Sequence, residues 1–178
     1  DRALSCYARQ AQRSEARDPA VIEQSLALWD RGESLPNACD GLIAQLQAFG
    51  MIDTARRLGR IEAAASRGEA GLMRHLARAL DASLQAKIEA EADFIERPHA
   101  GAAGWSSSPR ARAAIESGLE RLARRDPDAA ESLLESLEAP LSLELLRRGR
   151  LRAAIALWSA ASYLPQSADR FARVPSDA

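Results

Sequence analysis

Three dipeptides punctuate this chain in the same way. Asp18-Pro19, Ser108-Pro109 and Asp126-Pro127 each set a helix-capping side chain directly before a proline. The capping oxygen accepts from the free N–H groups of a first helical turn, and proline there gives up an N–H that has no partner anyway. The stretches that follow are helical in period. Ile22, Leu26 and Trp29 fall on one face, with Gly32 placed as a C′ stop. After Pro36 the next stripe is Cys39, Leu42, Ile43, Leu46 and Phe49, ending at Gly50. Asp53 opens a third helix with Leu58, Ile61 and Ala65 inward, and Gly68 closes it. Leu72, Met73, Leu76 and Leu80 mark a short fourth, and Asp81 caps a fifth that carries Leu84, Ile88 and Ile95 as far as Pro98. The Gly, Ala and Ser of His99 to Ser108 form a loop. Ile115, Leu119 and Leu122 follow Pro109, while Ala130, Leu133, Leu134 and Leu137 follow Pro127 and stop at Pro140. A last pair of helices, one around Leu143 to Leu146 and one with Leu151, Ile155 and Trp158, finishes before Pro165; the tail from Gln166 is weakly patterned.

Helices joined by such short turns make antiparallel hairpins, and stacked hairpins make a solenoid. The expected fold is all-α, a right-handed-type α-superhelix of antiparallel helix hairpins forming a single domain over residues 1–178. The face of Cys39, Leu42, Leu46 and Phe49 is expected to bury against the helix of Ile22, Leu26 and Trp29. Leu26 to Trp29 (LALW) recurs as Ile155 to Trp158 (IALW), but no fixed period or repeat signature runs through the chain.

Composition narrows the function classes. With 24 Lys+Arg against 25 Asp+Glu the formal net charge is -1, so no global field draws the chain to nucleic acid or to an anionic membrane. No window approaches the run of about 18 apolar residues that a membrane span needs. The N-terminus has no basic segment leading into an apolar stretch, so no signal peptide is visible; a mature chain would read the same way, and export stays open. Aromatics are only 4% of the residues, so the core must be Leu, Ile and Ala, which suits closely spaced helices.

The residues give little support to metal or nucleophilic chemistry. Two histidines, His75 and His99, lie far apart, and with two cysteines they match no ligand spacing of a zinc site. No metal site, no cofactor and no Cys-His or Ser-His-Asp arrangement is expected. The arginine pairs Arg56-Arg57, Arg124-Arg125 and Arg147-Arg148 stand near acids or helix ends, which favours solvated faces over anionic-ligand contacts. Trp105 in the Gly/Ser loop either packs the loop onto the helices or offers a face for sugar stacking, with packing the favoured reading.

One tract is far more specific than the rest: Leu28-Trp29-Asp30-Arg31-Gly32-Glu33-Ser34-Leu35-Pro36-Asn37-Ala38-Cys39-Asp40, preceded by Cys6. It resembles the Leu-Trp-x-x-Gly-x-Ser-x-Pro-Asn-Ala-Cys-Asp tract of the soluble lytic transglycosylases, bacterial enzymes that cut the glycan strands of peptidoglycan. Trp29, Gly32, Ser34, Pro36, Asn37, Ala38, Cys39 and Asp40 carry the match. The likeness is strongest from Cys6 to Gly50, weakens through Arg60-Ile61, Gly71-Leu72 and Leu122 to Asp126, and is lost beyond Pro140.

The resemblance implies a Cys6–Cys39 disulfide, hence a periplasmic location where such bonds persist. It implies a part of the ring-forming superhelical region of a larger enzyme, without the lysozyme-like catalytic domain. Its implied partners are peptidoglycan glycan strands, through the parent enzyme, and cell-wall proteins. In that family a single Glu acts as acid and then base to leave a 1,6-anhydro sugar, within a Glu-Ser-x-Phe/Trp tract followed by Gly-Leu-Met-Gln. Here Glu116-Ser117 lacks the aromatic, and Gly71-Leu72-Met73 runs into Arg74 and precedes Glu116. No catalytic residue is therefore expected in this chain. A free-standing helical-repeat adaptor, binding a protein on its concave face, is the alternative.

Overall fold

The computed structural model describes residues 1–11 and 19–175, with the side chains of residues 145 and 146 left aside. Among the described residues, ten α-helices account for the fold and no strand occurs. They are α1 (Arg2–Ala11), α2 (Pro19–Trp29), α3 (Asp40–Ala48), α4 (Thr54–Ser66), α5 (Ala70–Ala77), α6 (Ala82–Glu96), α7 (Pro109–Arg125), α8 (Pro127–Glu138), α9 (Leu145–Ala161) and α10 (Ser167–Ala172). Two 3-10 turns, Asn37–Cys39 and Ala100–Gly104, lead into α3 and towards α7.

The caps explain the boundaries. Asp53 accepts from the backbone N–H of Arg56, Asp81 from those of Ser83 and Leu84, Ser108 from that of Ala111, and Asp126 from that of Ala129. Each satisfies a donor that the first turn leaves free. Pro19 opens α2, but the Asp18 cap lies outside the described residues. Gly50 and Gly68 take the left-handed backbone that ends α3 and α4, with φ of 68° and 71°.

Helices pack against sequence neighbours and one pair further on: α5 against α6, α4 and α6 against α7, α7 against α8 and α9, and α9 against α10. This is the all-α superhelical arrangement. The core falls into two successive clusters. The first gathers Cys6, Trp29, Leu42, Leu46, Ile61, Met73, Leu76, Ile88 and Ile95; the second gathers Phe94, Ile115, Leu119, Leu134, Leu137, Leu151 and Ile155. Fully buried alanines (Ala64, Ala65, Ala77, Ala92, Ala114, Ala123 and Ala130) let the helices approach closely. A Cβ on Gly118 would stand 2.7 Å from the Phe94 ring, so α6 and α7 meet there without a side chain between them.

Four expectations are corrected. Gly32 is not a C′ stop: α2 already ends at Trp29, and Gly32 has no positive φ. Phe49 stays 42% exposed because α3 ends at Ala48 and turns its last apolar side chain to solvent. The last helix pair is a single helix, α9, which runs through Gly149. A mid-helix glycine costs roughly 1 kcal/mol, and burial of Leu151 and Ile155 in the second cluster offsets it. The weakly patterned tail contains α10, held by buried Arg170, which donates to Asp128 (2.5 Å), Glu131 (2.7 Å) and Ser159 (2.7 Å).

Candidate functional site

The Leu28–Asp40 tract forms a brace between α1, α2 and α4. Trp29 is the last residue of α2, and only 3% of it is exposed. The guanidinium of Arg60, from α4, lies 4.0 Å from the Trp29 ring centroid, and that of Arg57 lies 6.0 Å away. Such contacts contribute about 0.5–2 kcal/mol each, more when water is excluded. Downstream, the chain presses Gly32 onto the backbone of α4 at Ala63. Arg60 donates to the Glu33 carbonyl at 3.1 Å, fixing the same bend from the other side.

Pro36 then sets the 3-10 turn, its carbonyl accepting from the Cys39 N–H at 2.8 Å. Cys39 is fully buried and disulfide-bonded to Cys6 of α1, with Cα atoms 5.0 Å apart. Gln10 of α1 adds a hydrogen bond from its Nε2 to the Ala38 carbonyl at 2.5 Å. The rare residues of the tract thus meet three different steric demands: a stacked indole, a missing Cβ and a covalent tie.

The brace also walls a groove. Trp29, Ser34, Asn37 and Asp40 line it from the tract, Arg57 and Arg60 from α4, and Leu72 and His75 from α5. Its volume is about 570 Å³. Arg60 is 3% exposed, and burial pushes its guanidinium down to about 10, with the charge of Arg57 acting the same way and that of Asp30 opposing. Its Nε and the Trp29 Nε1 are buried with no hydrogen-bond acceptor. The sequence showed Arg57 only as one of a pair and Arg60 only as part of a weak likeness; the i, i+3 spacing on α4 was the available signal, but the stacking partner was not visible. Gly32, Pro36, Ala38 and Cys39 serve the brace, so the structure does not bring all the tract residues to one surface.

The remaining candidates are absorbed by packing and ion pairs. Glu116 is partly buried and its carboxylate is paired with Arg147, which also reaches Glu144. This places it as an ion-pair member between α7 and α9. Trp105 packs edge-on against Phe94 (centroids 5.5 Å apart) and His99 (6.4 Å). Arg56 pairs with Asp30 at 2.7 Å, Arg148 reaches Glu138 at 3.8 Å, and Arg124 lies over Trp158 at 5.7 Å. Among the described residues, no cluster of metal-ligating side chains occurs and no helix is long and apolar enough to cross a membrane.

No family model matches the chain. The soluble lytic murein transglycosylase of Escherichia coli K12 is 32% identical over 115 residues, which is 62% of this chain and 18% of that protein. The counterpart from Escherichia coli O157:H7 matches equally. The chain therefore spans less than a fifth of the length of these curated relatives. Among solved structures, the 70 kDa soluble lytic transglycosylase from Escherichia coli superposes with a TM-score of 0.77 at 23% identity, covering 99% of this chain and 30% of that one. An inactive mutant of the lytic transglycosylase Slt from Pseudomonas aeruginosa gives a TM-score of 0.69 at 25% identity, covering 97% and 28%. In sequence over 115 residues, and in fold over nearly its whole length, this chain is similar to the soluble lytic murein transglycosylases.

Proposed function

We propose that this chain is the non-catalytic superhelical region of a periplasmic soluble lytic transglycosylase. In this reading, residues 1–178 form one domain of the ring that surrounds the glycan strand, and the parent enzyme cleaves the MurNAc–GlcNAc bond of peptidoglycan to give 1,6-anhydromuropeptides. The observation that carries it is the fit of the rare-residue tract to its place: Trp29 under Arg60, Gly32 against Ala63, Cys39 tied to Cys6. The curated relatives, named for murein and for this activity, support the substrate class. A disulfide staple suits an oxidising compartment.

The chemistry of the carboxylates supports the non-catalytic part. A general acid for glycosidic oxygen must stay protonated in an apolar, water-poor pocket. The buried acid among the described residues, Glu91, is locked onto Arg110, and Glu116 is held by Arg147. Both carboxylates are thus engaged by a guanidinium. The test is to incubate the chain with purified peptidoglycan and analyse the muropeptides. No 1,6-anhydromuropeptide is expected; its appearance, and its loss in Glu116→Gln, would overturn the assignment. The gene beyond Ala178 tests the adaptor alternative, since a Glu-Ser-x-Phe/Trp tract followed by Gly-Leu-Met-Gln belongs to an enzyme and not to an adaptor.

A further inference from the structure

Several partly buried arginines of this fold have carboxylates to answer them. Arg74 reaches Glu89, Asp93 and Glu96; Arg110 reaches Glu91; Arg147 reaches Glu116; Arg170 reaches Asp128 and Glu131. Arg57 and Arg60 form no ion pair among the described residues. Arg60 has one hydrogen bond, to the Glu33 carbonyl, and Arg57 has only its position beside the Trp29 ring. Asp30, whose charge reaches Arg60, is itself paired with Arg56 at 2.7 Å. Two like charges thus stand one turn apart on α4 and line a groove that Trp29 also lines; the Trp29 Nε1, like the Arg60 Nε, is buried without an acceptor.

A buried donor without an acceptor costs about 1–3 kcal/mol, and more when it is charged. The Arg60 Nε and the Trp29 Nε1 are two such donors on residues that line the groove. A carboxylate brings two oxygens in the plane of a guanidinium fork, which is the pairing arginine geometry favours. The walls fit what a peptide carboxylate carries with it. Ser34, Asn37 and Gln47 can bond amide groups, and Ile43 and Leu72 supply apolar surface for small side chains. Asp40 is the acid on the lining, and it and His75 are both exposed.

We infer that this groove is a carboxylate-binding site in which Arg57 and Arg60 receive the anion against the Trp29 indole, and that its natural ligand is a carboxylate on the peptide stems of murein. The identity of the ligand rests on the murein reading given above; the existence of the anion site does not. The site would grip the peptide decoration of the polymer, away from any bond being cut.

The experiment is a titration of the 15N-labelled chain, following the Trp29 Nε1–H and the Arg57 and Arg60 Nε–H resonances. The probes are N-acetylmuramyl tripeptide with free carboxylates, the same compound with its carboxylates amidated, a peptide-free GlcNAc–MurNAc oligomer, an unrelated acidic tripeptide and inorganic phosphate. Saturable shifts at these three N–H groups are expected with the free acid, weakened about tenfold by amidation and about tenfold by Arg57→Gln, a variant on the groove surface whose spectrum reports that it is folded. Equal binding of the amidated probe, or equal binding of phosphate, would overturn the carboxylate site. Equal binding of the unrelated acidic peptide would overturn murein as the source while leaving the site. Binding of the peptide-free oligomer with shifts only elsewhere, and none from the free acid, would keep the murein reading and remove this groove from it.

Discussion

A Cβ placed on Gly32 would stand 2.1 Å from the carbonyl oxygen of Ala63, a backbone atom of α4. Backbone cannot swing aside as a flexible side-chain end can, so Gly32→Ala must push the tract off α4. Overpacking of this kind costs typically about 1–3 kcal/mol. Urea denaturation should show a midpoint lowered accordingly, with the Arg60–Trp29 stack disturbed; Gly104→Ala, where no atom lies within contact of the added carbon, is the control.

The Cys6–Cys39 bond closes a loop with a sequence separation of 33 residues. In the chain-entropy account, a loop of that length contributes about 3–4 kcal/mol. Reduction, or Cys39→Ser, should lower the unfolding free energy by about that amount. Labelling of the unreduced, denatured chain should detect no free thiol.

Arg74 grips Glu96 in a bidentate pair, with Nη1 to Oε1 at 3.0 Å and Nη2 to Oε2 at 2.9 Å, and holds Asp93 at 2.5 Å. The hydrogen bonds from Arg74 keep the Glu96 carboxyl below the usual carboxylate range. A depressed carboxylate pKa means that the stabilisation is fully present above the unfolded value, about 4.3, and is lost as pH falls through the folded value. Melting temperatures of the parent and Glu96→Gln should therefore differ most at neutral pH and converge as pH falls through the folded value. Parallel curves across that range would deny the pair its role. Both side chains keep solvent contact, so the difference should be modest and reduced by salt.

Glu91 and Arg110 behave differently because they are enclosed, with side-chain exposures of 7% and 14%. Removing one partner strands a charge. Arg110→Leu should cost about 3–5 kcal/mol, while Glu91→Leu combined with Arg110→Leu should recover most of the loss. The comparison is a double-mutant cycle by chemical denaturation.

Helix positions were readable because their causes are local. The side chains of Asp53, Asp81, Ser108 and Asp126 cap helices that start one residue later, and nothing distant is needed to see it. The expected break between Leu146 and Leu151 and the expected stop at Gly32 misled for the opposite reason. Burial on the second cluster carries α9 through one, and contact with α4 fixes the other. Arg170 escaped notice because its partners, Asp128 and Glu131, lie about 40 residues upstream on α8. The groove was half visible. Its tract residues stood out by rarity, but Arg60 became informative only once α4 had laid it over Trp29.

Phe94 and Ile95 are adjacent in the chain, yet one belongs to the second core cluster and the other to the first. The same division runs through α7, where Ala114 looks one way and Ile115 the other. The α6–α7 pair is thus a party wall, supporting a room on either side and belonging to both. A curved row of helices can be extended room by room under such a plan, because each new pair needs only the wall already standing. Damage to that wall, by contrast, opens two rooms at once.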